Sequence, residues 1–237
     1  MIGIIGAMDE EVDALIEAME STGGAVTKAG MVFHAGVLRG VEAVVVRSGI
    51  GKVNAAVCAQ ILIDDYHVDA LVQSGIAGSL NKDIHIGDVV LSRDTVHHDV
   101  QAGAFGYPPG QIPRMDTFAF EADAKLLAAA QRSAAKALPD VPVHVGRVLS
   151  GDIFIKDQEH KDRIAQTLHG DAVEMEGAAV GQAAYLNNTP YLVIRVISDN
   201  ADQDANIDYA LFERMAAGRS VALTLALVEE LAGRRCE

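Results

Sequence analysis

Residues 171–180 read DAVEMEGAAV and contain the junction on which the predicted fold depends. The apolar residues before Glu174 predict the end of a short strand, and the small residues from Gly177 onward predict a helix. Glu174 and Glu176 therefore lie where a strand ends and a helix begins. Because ligands of open α/β sheets bind at such ends, the two carboxylates are candidates for a binding site. The alternative is an exposed acidic pair, since acidic residues are common in first helical turns.

Strands and helices alternate along the rest of the sequence, with one hairpin near the N-terminus. The predicted strands are residues 1–6, 31–38, 42–48, 69–74, 87–92, 143–149 and 190–197. The predicted helices are residues 12–19, 52–65, 121–138, 156–168, 177–184 and 209–231. This pattern predicts a single α/β domain over residues 1–237, with a mixed, mostly parallel central β-sheet flanked by helices on both faces.

The composition limits the classes of partner. A net charge of −14 argues against nucleic acid and anionic membranes, both of which require basic patches. The two cysteines match neither a metal site nor a disulfide framework. Cys58 is predicted to be a core thiol, and Cys236 lies in the tail. No signal peptide or membrane-length apolar run is visible, so a cytoplasmic protein is expected.

Two further carboxylates follow predicted strands. Glu11 lies in the first turn of the helix after the first strand, and Asp199 follows the apolar strand of residues 190–197. Glu11 is either a carboxylate at the rim of a ligand site or a solvated acid at a helix start.

Two glycine-rich segments are predicted to be turns. Residues 48–53 read SGIGKV, and this G-x-G-K segment lacks the G-x-x-x-x-G-K-[ST] spacing of a phosphate loop. The segment is therefore weak evidence for nucleotide phosphate, and Lys52 is interpreted equally well as a surface or helix-start residue or as a phosphate ligand. Residues 75–79 read GIAGS, which predicts either a simple tight turn or a turn whose backbone approaches a ligand closely.

Residues 95–117 are predicted to form a long irregular loop, rich in aromatic residues and proline. Loops of this length are usually functional or flexible. The loop contains the double-histidine segment His97-His98-Asp99. Adjacent histidines on a strand point to opposite faces, and no third cluster of ligands accompanies them, so no metal site is predicted.

Together these motifs resemble those of bacterial 5′-methylthioadenosine/S-adenosylhomocysteine nucleosidases, in the nucleoside phosphorylase superfamily. They occur in the order of the family over nearly the whole chain. The matching motifs are IIGAMDEEV at residues 4–12, SGIGKV at 48–53, AFGY at 104–107, SGD at 150–152, VEME at 173–176 and RVISD at 195–199.

The resemblance implies which carboxylates act in catalysis. Glu11 matches the family carboxylate that activates water, and Glu176 matches the one that holds the ribose hydroxyls. Asp199 matches the acid that assists protonation of adenine N7, while Arg195 and Ser198 match residues that orient the glutamate and the aspartate. For this chemistry Asp199 must carry a proton near neutral pH, whereas Glu176 is predicted to stay ionised.

The resemblance also implies the residues that bind the nucleoside. Phe154 matches the ring that stacks on the base, Ile155 supplies backbone contacts to it, and Met175 packs on the ribose. The other predicted substrate-binding residues are Met8, Ile50 and Tyr209, which match the lining of the ribose and 5′-thioalkyl pocket, together with Glu174 and Ile76.

In the family a neighbouring subunit closes this pocket. The matching positions here are Ala102, Phe105 and Pro113, all within the predicted loop. A homodimer with shared active sites is therefore expected. The alternative is a loop that folds back over its own subunit as a lid.

The predicted function is hydrolysis of the N-glycosidic bond of these nucleosides, with no metal or organic cofactor. Ile76 replaces a serine that is common in the family, which removes a hydroxyl near the attacking water and leaves the preferred nucleoside open. One alternative is a nucleosidase for another 5′-modified adenosine, such as aminodeoxyfutalosine or 5′-deoxyadenosine. Two others are a phosphate-dependent purine nucleoside phosphorylase and a non-catalytic nucleoside-binding domain.

Overall fold

The structure of the protein, a computed structural model, describes residues 1–202 and 204–234. The tail residue Cys236 therefore lies outside the described residues. The strands are β1 (Ile2–Gly6), β2 (Glu20–Lys28), β3 (Met31–Leu38), β4 (Val41–Arg47), β5 (Ala70–Ser79), β6 (Val89–His97), β7 (Phe120–Glu121), β8 (Val143–Ser150), β9 (Ala172–Glu174) and β10 (Tyr191–Asp199). The helices are α1 (Asp9–Glu17), α2 (Lys52–Tyr66), α3 (Ala124–Ala137), α4 (Gln158–Leu168), α5 (Gly177–Asn187) and α6 (Ala205–Arg234).

All of these strands belong to one mixed sheet, in the order β10-β6-β8-β9-β5-β1-β4-β3-β2, with β7 paired to β6. Strand β10 also pairs with β5, so β5, β9, β8, β6 and β10 form a closed ring. The prediction of a mixed α/β sheet is confirmed. The mostly parallel arrangement is wrong, because the described strands make five parallel and five antiparallel pairings.

Strand β1 shows why helices cover both faces of the sheet. All five of its residues are buried, and successive side chains of a strand point to opposite faces. Ile4 packs in the apolar cluster to which α1, α3 and α6 contribute, whereas Ile5 packs in the cluster that contains residues of α2 and α5. Cys58 of α2 is fully buried in the second cluster, as predicted, and burial raises the pKa of its thiol.

The glycine-rich residues 75–79 continue β5 as a fully buried strand, so the predicted turn is wrong. A Cβ at Gly75 would overlap Glu11 and lie 2.8 Å from Arg195 Nη1. A Cβ at Gly78 would lie 2.8 Å from Asp199 Oδ1. The glycines thus make room for side chains of the protein itself.

Other element boundaries also differ from the predictions. Strand β2 was not predicted, β6 extends to His97, and α6 begins at Ala205, ahead of the predicted Tyr209. The predicted loop is therefore shorter at its start, and it includes a 3₁₀ turn at Gly103–Phe105. The hairpin between β3 and β4 is as predicted, with its connecting residues at positive φ. Among the described residues, no helix combines the length and hydrophobicity needed to cross a membrane.

The close packing of α5 on the sheet gives a stability prediction. A Cβ at Gly181 would lie 2.6 Å from Thr95 Oγ1 and 2.7 Å from the Tyr191 hydroxyl, both buried. Gly181→Ala should therefore lower the free energy of unfolding by about 1–3 kcal/mol, the usual cost of overpacking. Urea denaturation measures this change. Gly218→Ala is the matched control, because Gly218 is helical with open space around it and should gain up to about 1 kcal/mol. A Gly181→Ala protein as stable as wild type would contradict the packing argument.

Candidate active site

Residues at the carboxyl ends of β1, β5, β9 and β10 line a single cavity of about 330 Å³. Its lining residues are Ala7, Met8, Glu11, Ile50, Ile76, Ala77, Gly78, Phe154, Val173, Glu174, Met175, Glu176, Ser198, Asp199, Asn206 and Tyr209. The cavity therefore brings together the predicted site residues of the subunit itself, apart from Ile155 and Arg195. The strand ends converge here as expected for a ligand site in an α/β fold.

Glu11 lies in the first turn of α1 and is hydrogen-bonded to the ends of β1 and β5. Its Oε2 accepts the N–H of Ala7 at 2.6 Å and of Met8 at 3.1 Å, and its Oε1 accepts the N–H of Ile76 at 3.1 Å. The side chain is buried, so the alternative of a solvated acid is wrong. Burial raises the pKa of Glu11, and the charge of Arg195 and the three amides oppose this only in part.

Glu174 is the last residue of β9, and both oxygens of its carboxylate accept hydrogen bonds from the protein. Oε1 accepts the Ser150 hydroxyl and the N–H of Gly177, and Oε2 accepts the N–H of Glu176 at 3.0 Å and of Gly177 at 2.8 Å. Arg195 adds an ion pair to Oε2. Burial acts to raise the pKa of Glu174, but Arg195 and the hydrogen bonds outweigh it and hold the pKa below its ordinary value. These contacts favour a role in positioning the start of α5 over the predicted contact with substrate.

Glu176 immediately precedes α5 and has fewer partners than Glu174. Its Oε1 accepts the N–H of Gly51 at 2.8 Å, and its Oε2 lies 3.9 Å from Arg195 Nη2. Both glutamates are buried, so the alternative of an exposed acidic pair is wrong. Burial, followed by repulsion from Glu174, raises the pKa of Glu176. Because Arg195 lies closer to Glu174, the geometry favours charge on Glu174 and opposes the predicted permanent ionisation of Glu176.

Arg195 lies in β10 and does not line the cavity. It is almost fully buried, and its Nη2 donates to Gln73 Oε1 as well as to Glu174. Burial acts to lower the pKa of its guanidinium, but the charges of Glu174, Glu11 and Glu176 outweigh it and raise the pKa. Arg195 is thus a single cation shared by three carboxylates.

Asp199 is the last residue of β10 and also lines the cavity. Its Oδ2 accepts the Ser198 hydroxyl at 2.8 Å, and its Oδ1 accepts the N–H of Ala201 at 2.8 Å. Burial raises the pKa of Asp199 despite these hydrogen bonds. This is the direction required of a carboxyl group that carries a proton near neutral pH.

Apolar and aromatic side chains form the rest of the wall. The rings of Phe154 and Tyr209 pack edge to face, with centroids 6.2 Å apart. The Tyr209 hydroxyl lies 3.1 Å from Met8 Sδ and donates to Glu213 Oε1 at 2.9 Å. Phe154 is 41% exposed and Ile50 is 54% exposed, so this side of the cavity opens to solvent.

Ile155 does not line the main cavity. Its side chain is buried in an apolar cluster with residues of α4, and it lines a neighbouring cavity of about 30 Å³. The predicted contacts of Ile155 with the base involve its backbone, and burial of the side chain is compatible with them.

Several residues that contribute to the site were missed. Gly75 and Gly78 give room to the carboxylates, and the N–H of Gly51 binds Glu176. The glycine-rich sequence was a signal for these positions, but it indicated a ligand instead of internal side chains. Asn206 lines the cavity from α6, and nothing in the local sequence identified it.

The three residues predicted to face a partner do not line this cavity. Phe105 is 82% exposed and Pro113 is also exposed, so both side chains are available to a second molecule. Ala102 differs, because its own subunit leaves only 9% of it exposed.

The G-x-G-K segment is not arranged as a phosphate cradle. Lys52 Nζ forms an ion pair with Asp99 Oδ1 at 2.6 Å, and the N–H of Gly51 is taken by Glu176. As for metals, no three His, Cys, Asp or Glu side chains in the part of the chain that the structure describes converge to hold an ion.

Comparison with known proteins identifies the family. The model of the phosphorylase superfamily matches residues 1–229. A 5′-methylthioadenosine/S-adenosylhomocysteine nucleosidase of Shewanella pealeana is 42% identical over 231 residues, covering 97% of this chain and 99% of the relative. The chain belongs to the 5′-methylthioadenosine/S-adenosylhomocysteine nucleosidase family.

Solved structures of this superfamily have the same fold. The nucleosidase of Neisseria meningitidis, in complex with methylthio-immucillin-A, superposes with a TM-score of 0.92 at 38% identity, covering 96% of this chain and 98% of that one. The futalosine hydrolase of Helicobacter pylori superposes with a TM-score of 0.91 at 35% identity, covering 97% of each chain. The predicted nucleoside phosphorylase-like fold is confirmed.

The raised pKa of Glu176 predicts how stability depends on pH. The folded protein binds this proton more tightly than the unfolded chain, so the stabilisation is complete below the ordinary pKa of 4.5 and is lost as pH rises through the raised value. Glu176→Gln removes the titration, so its melting temperature should rise relative to wild type as pH increases above 4.5.

Thermal unfolding of both proteins from about pH 5 to about pH 9 measures the difference. Glu42→Gln, at an exposed position on β4, is the control and should track wild type. A Glu176→Gln melting curve that stays parallel to wild type over this range would show that Glu176 does not retain its proton.

Proposed function

We propose that this protein hydrolyses the N-glycosidic bond of 5′-methylthioadenosine and S-adenosylhomocysteine, releasing adenine and the 5-thioribose product. The observation that carries the proposal is the convergence of Glu11, Glu176 and Asp199 on one cavity. Family membership and the methylthio-immucillin-A complex of the Neisseria relative support the same substrate class. No metal or organic cofactor takes part in the proposed reaction.

Asp199 acts on the departing base. Cleavage of the N-glycosidic bond places positive charge on the sugar and negative charge on the purine, as in other glycosyl transfers. A proton from Asp199 to adenine N7 neutralises the leaving group, and burial shifts the pKa of Asp199 upward, in the direction that this transfer requires. Ser198 orients the carboxyl through its hydrogen bond to Oδ2.

Glu176 and Glu11 act on the ribose and on water. Glu176 binds the ribose hydroxyls, with Met175 packed against the sugar. The hydrogen bonds of Glu176 to the ribose hydroxyls strengthen as positive charge grows on the ribose in the transition state. Glu11 accepts the proton of the attacking water, and its three amide contacts hold the carboxylate in place.

The remaining pocket residues bind the base and the 5′ substituent. Phe154 stacks on adenine, and the backbone of Ile155 contacts the base. The 5′-thioalkyl group lies among Met8, Ile50 and Tyr209, whose packing forms the apolar wall of the cavity.

A phosphorolytic reaction is disfavoured. Phosphate binding uses cationic or hydroxyl groups, and the residues that line the described cavity include no lysine or arginine. Ile76 also offers no hydroxyl. The proximity of Glu11 would repel an anion. The convergence of three carboxylates likewise argues against a binding domain without catalysis.

Hydrolysis of another 5′-modified adenosine is the second candidate. The futalosine hydrolase of Helicobacter pylori resembles this chain as closely in fold as the nucleosidases do. Within this proposal the protein is a single nucleosidase domain over residues 1–237 that acts in the cytoplasm. It serves methionine salvage, methyl recycling or menaquinone synthesis, according to the 5′ substituent it accepts.

The active unit in this proposal is a homodimer with shared sites. Phe105 of the loop, Val53 of α2, and Tyr185 and Leu186 of α5 are exposed apolar side chains, at 82%, 74%, 45% and 62%. Val53 and Leu186 line one surface cavity, and exposed apolar surface of this kind usually marks an interface. A two-fold dimer would cover this surface and bring Phe105 over the partner's cavity, and the same contact would be made twice.

Product analysis tests the reaction. Methylthioadenosine should yield adenine and methylthioribose at a rate that does not depend on phosphate, because the cavity has no anion site. Chromatography of a panel of 5′-substituted adenosines, with and without phosphate, measures both product and preference. A strict phosphate requirement with a sugar 1-phosphate product would replace hydrolysis with phosphorolysis.

Two variants test the roles of Asp199 and Glu11 in the same assay. Asp199→Asn and Glu11→Gln should each lower turnover by about 10²–10⁴-fold, the usual contribution of general acid–base catalysis. Circular dichroism checks that both variants are folded. Near-normal turnover by a folded variant would remove that residue from the mechanism.

The shared pocket predicts a selective effect of Phe105→Ala. Loss of the ring should weaken binding of 5′-alkylthio substrates by about 10-fold, the size expected for an aromatic anchor, while adenine binding changes little. Steady-state kinetics and adenine inhibition constants measure the two effects.

Val26→Ala is the control, at an exposed apolar position on β2. Light scattering at assay concentration should give the mass of a dimer. A fully active monomer would refute the shared pocket, and so would an equal loss of adenine and substrate binding in Phe105→Ala.

A further inference from the structure

Three sequence motifs, the G-x-G-K segment, the double-histidine segment and the SGD segment, meet in one network. The residues that join them have no role in the proposed mechanism. Lys52 Nζ pairs with Asp99 Oδ1 at 2.6 Å, and Asp99 Oδ2 accepts the N–H of Asp152 at 3.0 Å. Asp152 Oδ1 in turn accepts the N–H of Lys52 at 2.9 Å. Lys52, Asp99 and Asp152 are called the three-motif network below.

One side of the network adjoins Glu176. Gly51 directly precedes Lys52, and its N–H donates to Glu176 Oε1 at 2.8 Å. Gly51 has a φ of +100°, a conformation that favours glycine, and a Cβ there would lie 3.1 Å from Asp152 Oδ1. The network therefore fixes the turn that supplies a backbone donor to Glu176.

The other side of the network holds the start of the loop at residues 98–119. The N–H of His98 donates to the Ser150 carbonyl at 2.9 Å, and Asp99 forms the two contacts of the network. Phe105, the exposed residue proposed to cover the partner's cavity, lies in this loop. The position of the loop thus depends on contacts with the SGD segment and with Lys52.

The network contains a partly buried ion pair between Lys52 and Asp99. The side chains of Lys52 and Asp99 are 21% and 17% exposed, so solvent screens their attraction less than that of a surface pair. Burial acts to raise the pKa of Asp99, but the hydrogen bonds of Lys52 and Asp152 outweigh it and hold the pKa below its ordinary value. Asp99 is therefore charged at neutral pH.

We propose that Lys52 and Asp99 are positioning residues that serve two active sites at once. Through Gly51 they fix Glu176 of their own subunit, and through the base of the loop they fix Phe105 against the cavity of the partner. This inference rests on the proposed nucleosidase function and on the proposed dimer.

The two effects of the pair are separable in a dimer that has one working site. Coexpression of two differently tagged chains, one carrying Glu11→Gln, gives such a heterodimer. Its working site uses the carboxylates of the intact chain and the loop of the Glu11→Gln chain. Lys52→Met, which keeps an unbranched side chain one atom shorter and removes its charge, is then introduced into either chain.

Each placement has its own expected result with methylthioadenosine. In the intact chain, Lys52→Met should lower kcat by about 10-fold or more, because a displacement of about 1 Å at a site can cost about 10²-fold. In the Glu11→Gln chain, the same change should instead raise KM by about 10-fold, since only the loop reaches the working site. Lys52→Arg should recover part of both losses.

Controls separate these effects from general destabilisation. Lys28→Met removes an exposed ion pair with Asp65 and should leave both constants unchanged. Asp99→Asn should reproduce the Lys52→Met pattern, and it provides a second variant if Lys52→Met folds poorly. The heterodimer with both Lys52 residues intact must hydrolyse methylthioadenosine; if it does not, the proposed function fails and not the role of the pair.

Three results would overturn the inference. Unchanged KM with Lys52→Met in the Glu11→Gln chain would break the link to the loop. Unchanged kcat with Lys52→Met in the intact chain would break the link to Glu176. A monomeric wild-type protein would refute the dimer, and with it the action on a partner, before any variant is made.

Discussion

The site depends on one buried cation, Arg195, that is shared by three carboxylates. Removal of charged groups from water is costly, and the attraction of Glu174 for Arg195 offsets only part of that cost. One positive charge is insufficient for Glu174, Glu176 and Glu11 together. Glu174 makes the closest contact with Arg195 and accepts the most hydrogen bonds, so Glu174 is the glutamate that carries a negative charge. Burial raises the pKa of the other two glutamates, Glu11 and Glu176, and repulsion from Glu174 raises that of Glu176 further; these are the two assigned to water and to the ribose.

This arrangement of charges requires glycine at two positions of one strand. Strand β5 runs through the middle of the sheet, and Gly75 and Gly78 leave the space that Glu11, Arg195 and Asp199 occupy. A fold that gathers acids from several elements must bring them against a common backbone. The fully buried β5 provides that backbone, and its Ile76 amide is one of the donors to Glu11.

Features of the site that depend on neighbouring residues in the sequence were predictable, and features that depend on distant residues were not. The junction at residues 171–180 was predictable because strand and helix signals are local, and the observed β9 and α5 begin and end close to it. The strand character of residues 75–79 was not predictable, because glycine spacing is the same in a turn and in a strand packed against carboxylates. The sequence also did not show that Glu174 is ionised in preference to Glu176, because this preference depends on contacts with Arg195 and Ser150 from distant strands.

The replacement of a common serine by Ile76 bears on substrate choice. Glu11 is held by three backbone amides, one of them from Ile76, and a side-chain hydroxyl is not among these contacts. These contacts of the Glu11 carboxylate therefore do not use the side chain at position 76. Ile76 adds apolar surface to the cavity instead, and the wall around Tyr209 adds more. Discrimination between nucleosides then falls to shape and apolar contact, which distinguish single methylene groups by only about 1–3 kcal/mol. A pocket of this kind separates nucleosides by the size of the 5′ substituent more weakly than a hydrogen-bonding pocket would, so several 5′-modified adenosines should compete for it.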